Sequence, residues 1–159
     1  MLLIIWHSRT GAARAMAEAA LEGAAGEGDA AMLAADEATP ERLLGAAGYL
    51  FVCPENLGTM SGAMKEFFDR CYYPLLERIE GRPFATAIAA GSDGSGAERQ
   101  IERIVTGWRL RRIAEGLVVN LKAQTPQAIL APKTVSAADL QKCRNLGQSF
   151  GAGLAMGLF

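Results

Sequence analysis

The run Leu2-Leu3-Ile4-Ile5-Trp6 continues directly into His7-Ser8-Arg9-Thr10-Gly11-Ala12-Ala13. An unbroken apolar run of this length fits a strand buried on both faces. The turn after it carries two hydroxyls and a glycine. From Gly11 to about Ala25, the residues Ala13, Met16, Ala17, Ala20 and Leu21 fall at helical spacings. In α/β proteins a strand, turn and helix of this kind make an anion site. Backbone N–H groups at the helix N-terminus point at the ligand, and the helix dipole favours negative charge there. Ser8 and Thr10 add hydroxyl donors, and Gly11 lets the backbone come close. The expectation is a phosphorylated ligand at the end of the first strand. The alternative is a plain turn in which Thr10 caps the helix.

Strand and helix signals alternate outward from this stretch, which favours a parallel sheet covered on both faces. Residues 30–34 read as a weaker second strand after Gly26 and Gly28 close the first helix. Thr39-Pro40-Glu41 has a cap residue followed by proline, opening a short helix to about Gly45. Residues 49–53 form a third strand, ending at Pro54. A long helix is expected from Ser61 to about Glu77, with Met64, Phe67, Phe68, Cys71 and Leu75 inward. Residues 84–90 read as a fourth strand. The helix over 97–106 follows, with Gly107 as its stop. Residues 110–113 and 117–120 look like two parts of a fifth strand, interrupted at Glu115-Gly116. Ser136 opens a final helix to about Ala155.

The chain has 159 residues, enough for one compact domain spanning 1–159, with no linker, repeat or low-complexity block. Its formal net charge of −1 gives no case for a nucleic-acid partner or an anionic membrane surface. The cysteines, Cys53, Cys71 and Cys143, are widely spaced, and the lone histidine, His7, cannot complete a usual zinc site with them. No metal is expected, and the thiols read as free in a reducing, cytoplasmic setting. The N-terminal apolar run is too short and lacks the basic start of a signal peptide. No apolar segment approaches the roughly 20 residues of a membrane helix.

Strands one, three and four each end in a polar loop. In a doubly wound sheet this edge holds the ligand. The first loop has neither GxGxxG nor GxxxxGK[ST], which disfavours dinucleotide and nucleoside-triphosphate binding. The second, Glu55-Asn56-Leu57-Gly58-Thr59-Met60, has Glu55 as its only ionisable group. A planar ligand fits against Leu57 and Met60; the alternative is a surface crossover turning at Gly58. The third is Gly91-Ser92-Asp93-Gly94-Ser95-Gly96, in which Asp93 reads either as part of the site or as a helix cap. His7 reads as a structural residue at the strand end or support for the first loop, the alternative being a proton relay. Trp108 reads as a packing residue, the alternative being a ring-stacking group. Arg109, Arg111 and Arg112 read as a solvated strand entry, the sharper alternative being an anion patch for a nicotinamide phosphate. No activated nucleophile or paired carboxylate stands out. The expectation is no catalytic side chain, with any hard chemistry supplied by a cofactor.

Ser8-Arg9-Thr10-Gly11 resembles the phosphate loop of flavodoxins. The stretch from Pro54-Glu55 through Gly58-Thr59-Met60-Ser61-Gly62, Met64-Lys65 and Asp69 is similar to the signature of NADPH-dependent FMN reductases, with Ser61 where those have proline. Residues 110–120 resemble the split fifth strand of short-chain flavodoxins. The resemblance implies a flavodoxin-like three-layer α/β sandwich, a five-stranded parallel sheet of order 2-1-3-4-5 with helices on both faces. It implies FMN with its phosphate on Ser8, Arg9, Thr10, Gly11, Ala12 and Ala13. The ring would meet Pro54, Glu55, Asn56, Leu57, Gly58, Thr59 and Met60 on one side, and Gly91, Ser92, Asp93 and Gly96 on the other. NADH or NADPH would donate a hydride, passed through FMN to a quinone or similar small acceptor, in a homodimer or homotetramer. The chain departs from flavodoxins in three ways. It has Ala12 and Ala13 where many flavodoxins have a polar residue in the phosphate loop, it lacks an aromatic side chain in the ring loops, and it is not strongly acidic. An electron carrier between proteins, or a flavin-free binding domain on the same fold, are the other readings.

Overall fold

The computed structural model describes residues 1–159. The strand β1 (Leu2–Trp6) lies between β2 (Ala30–Ala34) and β3 (Gly48–Asn56), and β3 pairs onward with β5 (Pro83–Ala90). All these pairings are parallel. The fifth position is filled twice along the same edge of β5. There β6 (Arg111–Arg112) pairs with Pro83 and Phe84, and β7 (Leu117–Asn120) pairs with residues 87–90. The order expected from the sequence, with its split last strand, is therefore the order observed.

Side-chain alternation along the central strands divides the interior in two. Leu3, Ile5, Tyr49, Phe51 and Cys53 face one core, closed by α2 (Pro40–Leu44), α3 (Gly62–Leu75) and α4 (Ser95–Gly107). Phe51, Phe67, Phe68 and Trp108 cluster there with ring centroids 4.9–6.3 Å apart. Leu2, Ile4, Leu50 and Val52 face the other core, closed by α1 (Ala12–Ala25) and α6 (Ala137–Ala155). That side is built of small residues. A Cβ at Gly147 would collide with the carbonyl oxygen of Ala20, so α6 lies directly on the backbone of α1.

The split of the last strand has a cause in the side chains. Glu98 on α4 accepts a hydrogen bond from the fully buried Thr86 hydroxyl (2.5 Å) and pairs with Arg112 at 2.8 Å. Residues 113–116 detour around this carboxylate, and a Cβ at Gly116 would run into it. Arg112 also pairs with Glu102 and lies over the Phe84 ring at 4.9 Å. It is therefore a partly buried structural cation, which corrects its reading as a solvated residue.

Other expectations shift at the boundaries. The helix α3 ends at Leu75, with Pro74 in its last turn and Glu77 at φ 62° beyond it. Gly107 does not stop α4. The left-handed residue is Arg109 at φ 54°, and Gly107 is small because the Tyr72 hydroxyl occupies the space of a Cβ. Two short elements add to the expected set. The strand β4 (Thr59–Met60) folds back antiparallel on β3, and α5 (Pro126–Leu130) follows β7.

Candidate functional site

At the carboxyl edge of the strands lies a cleft of about 520 Å³. Loops after β1, β3 and β5 border it, together with the segment between β7 and α6.

The first loop is aligned by the N–H of His7, which donates to the Val52 carbonyl at 3.0 Å. Gly11 stands at φ 98° as the N-cap of α1, without a side-chain cap. Its N–H is taken by the Ser8 hydroxyl at 3.0 Å, so Thr10 is not the cap. The N–H groups of Ser8, Arg9, Thr10, Ala12 and Ala13 have no acceptor within the protein. No acidic residue stands in the first turn of α1. Unpaired donors at a helix N-terminus free of negative charge suit a phosphate. Ala12 and Ala13 pack into the core and offer the cleft no polar side chain.

The second loop is a tight hairpin. Glu55 pairs with Met60 and Asn56 with Thr59, leaving Leu57 (φ 52°) and Gly58 (φ 75°) as the turn. Left-handed geometry at both positions matches the twist of a two-residue hairpin, and it is costly for leucine. Leu57 is nonetheless fully exposed at the rim. The Glu55 carboxylate is engaged, accepting from Gly94 N–H at 2.9 Å and from Ala97 N–H at 3.0 Å. It caps α4 from a loop some forty residues away. Gln100 accepts from Met60 N–H at 3.0 Å, and a Cβ at Gly96 would collide with the Gly58 carbonyl. The second loop thus sits on the first turn of α4.

In the third loop, Asp93 accepts from the Ser95 hydroxyl at 2.6 Å, so the cap of α4 is Glu55 and not Asp93. Ser92 is held by Asn120, whose amide donates to its carbonyl at 2.5 Å.

The structure brings Ser8, Arg9, Thr10, Ala12, Ala13, Pro54, Glu55, Asn56, Leu57, Gly58, Gly91 and Ser92 together around one cleft. It leaves Gly11, Thr59, Met60, Asp93 and Gly96 off the lining. Met60 is buried in the core and the Thr59 hydroxyl donates to the Asn56 carbonyl. Sequence reasoning missed Ala89, Leu121, Ala123, Ile129, Leu130 and Lys133. The signal for α5 was present, because Thr125-Pro126 repeats the cap-proline pair of Thr39-Pro40. Both threonine hydroxyls accept a backbone N–H at the start of a helix.

His7 lies behind the first loop, its Nδ1 2.8 Å from the Ser61 hydroxyl at the start of α3. Burial, and then the charge of Arg9, hold its pKa below the usual imidazole value, against a smaller opposing pull from Asp36. Burial pushes the Cys53 thiol up to about 12, so it carries no thiolate chemistry near neutrality. Arg109 pairs with Glu80 on the surface, and Trp108 is fully buried.

A doubly wound α/β sandwich with an anion-ready cleft at its carboxyl edge is the flavodoxin-like class. The fold agrees with a flavodoxin from the domain Archaea at TM-score 0.77, with 18% identity over 98% of each chain. It also agrees with a flavodoxin, WrbA-like protein from Agrobacterium tumefaciens at TM-score 0.71, with 23% identity over 98% of this chain and 97% of that one. Residues 20–120 match the family of NADPH-dependent FMN reductases, and the chain belongs to that family of flavoproteins. A flavodoxin of Aquifex aeolicus (strain VF5) is 37% identical over 107 residues, 66% of this chain. That match spans 58% of the length of the relative. No helix is long and apolar enough to cross a membrane.

Proposed function

We propose that the chain holds FMN in this cleft, phosphate in the first loop and ring between the second and third. We further propose that the loaded protein is an NAD(P)H-dependent oxidoreductase reducing a quinone or similar small acceptor. The observation that carries this reading is the set of unpaired backbone N–H groups at residues 8–10, 12 and 13, all of which line a cleft with room for a planar ring. When bound, FMN supplies the uptake and release of hydride, which no cleft side chain offers.

The chain's own residues hold, orient and shield. Backbone donors of the first loop and the Ser8 and Thr10 hydroxyls meet the phosphate. The Glu55 carboxylate, satisfied by two N–H groups, keeps its charge on α4 rather than against a ring. Leu57, Leu121, Ile129 and Leu130 make the remaining walls apolar, and no aromatic side chain lines the cleft. That leaves space for a nicotinamide or a flat acceptor to stack.

The second reading, a carrier of single electrons between proteins, draws on the name of the Aquifex aeolicus relative. Against it, a net charge of −1 provides little field to steer docking on a charged redox partner. The test is anaerobic mixing of the FMN-loaded protein with NADH and with NADPH while following flavin absorbance. Bleaching is expected with at least one nucleotide. Flavin that binds but never bleaches would sink the oxidoreductase and leave the carrier. Protein that takes up no FMN would remove both.

A further inference from the structure

The segment between β7 and α6 contributes little to the core and is nevertheless held at both ends. No residue of α5 is buried. Its start is capped by the Thr125 hydroxyl, which accepts from Ala128 N–H at 3.2 Å. Its end is closed by the Lys133 ammonium, which donates to the carbonyls of Ile129 (2.9 Å) and Ala131 (2.5 Å). Lys133 N–H donates to the Thr10 carbonyl at 2.8 Å, fastening the segment to the first loop. At the other end Ala123 N–H donates to the Gly91 carbonyl at 3.0 Å, fastening it to the third. The segment is an arm bridging two cleft loops.

This arm presents Ile129 and Leu130, 49% and 73% exposed, as lining of the cleft. Lys133, the cation of the arm itself, is turned back on the arm's own carbonyls, so the arm adds no free charge beside these two side chains. Two adjacent exposed aliphatic side chains on a fixed backbone beside an anion cradle fit a ligand that is charged at one end and apolar along its body. The core gives no reason for them.

We propose that Ile129 and Leu130 form the wall against which the uncharged ring system of FMN packs, so that the arm recognises the ring and not the phosphate. This rests on the FMN reading above. The test is the double variant Ile129→Ser, Leu130→Ser, titrated by flavin fluorescence with FMN and with riboflavin, which has no phosphate. Both Kd values should rise alike, by about 30-fold, because the ring no longer covers two aliphatic side chains when it binds. The Tm should stay within a few degrees of the parent, because neither side chain is in the core.

Parent protein that binds neither flavin would end the FMN reading itself. Parent protein that binds FMN, with a double variant of unchanged Kd, would overturn the wall and leave FMN standing. A rise for FMN without one for riboflavin would also overturn it, since the two side chains would then act at the phosphate end. Unchanged flavin affinity with weakened self-association in sedimentation would assign the two side chains to a second copy of the chain, again against the proposal.

Discussion

The first loop and the paired second and third loops lie on one sheet edge and differ in how firmly side chains from other elements tie down their backbone. In the first, N–H groups at residues 8–10, 12 and 13 are left without partners, and only Gly11 is satisfied locally, by Ser8. In the other two, Glu55, Gln100 and Asn120 reach across to bind the polar backbone of the neighbouring loop. Unpaired donors beside a cleft are tolerable only where water or a ligand can reach them. Hydrogen bonds that cross between elements make a wall whose shape is set before anything binds. One side of the site is chemically open and the other is geometrically fixed.

The largest test of this contrast is Thr10→Glu. A carboxylate placed about 4 Å from a phosphate costs about 4 kcal/mol at an effective dielectric near 20. FMN binding should therefore fall about 1000-fold or vanish, with riboflavin nearly unaffected. Equal loss of both flavins would show that the first loop is not a phosphate site.

Glu55→Ala attacks the fixed side. It orphans the Gly94 and Ala97 N–H groups and releases the hairpin from α4, costing about 2 kcal/mol and lowering Tm by roughly 5 °C. FMN and riboflavin affinities should fall together, and Glu55→Gln should recover part of both effects through its remaining carbonyl acceptor. An unchanged Tm would mean that the two loops do not depend on this bridge.

Ser8→Ala is milder. It frees Gly11 N–H and removes one hydroxyl donor, so FMN should weaken about 5-fold, on the order of a single hydrogen bond. Riboflavin titration serves as the control and should not move.

The smallest effect is at His7, behind the open loop. Its folded pKa is depressed, so the unfolded chain binds the proton more readily. The stability it contributes is present above the unfolded imidazole pKa and is lost as pH falls through the folded one. Thermal melts between pH 7 and pH 5 should show a shallower loss of Tm for His7→Asn than for the parent. Parallel curves would place the titration elsewhere.

Much of the architecture was legible in residue order. Unbroken apolar runs marked β1, β3 and β5, and helical spacing marked α1, α3, α4 and α6. The break at Glu115-Gly116 marked the split strand. Cap chemistry found α2 through Thr39-Pro40 and would have found α5 through Thr125-Pro126. Gly107 misled, since a glycine near a helix end serves equally as a stop or as clearance, and here it clears the Tyr72 hydroxyl. Arg112 misled because a basic cluster in sequence says nothing of Glu98 and Glu102, which come from the preceding helix.

The sequence alone determined what depends on neighbours within one element: periodicity, caps, and the strand–turn–helix at residues 2–13 with its small residues and hydroxyls. Tertiary structure alone decided what depends on loops brought together by sheet order. It made Glu55, which lines the cleft, also the cap of α4, and it set Gly96 beneath Gly58. It also laid the α5 arm between Gly91 and Thr10 as a further wall of the cleft. The physical reason is range. A hydrogen bond acts over about 3 Å, and only after β1, β3, β5 and β7 lie side by side do residues tens to more than a hundred positions apart come within it.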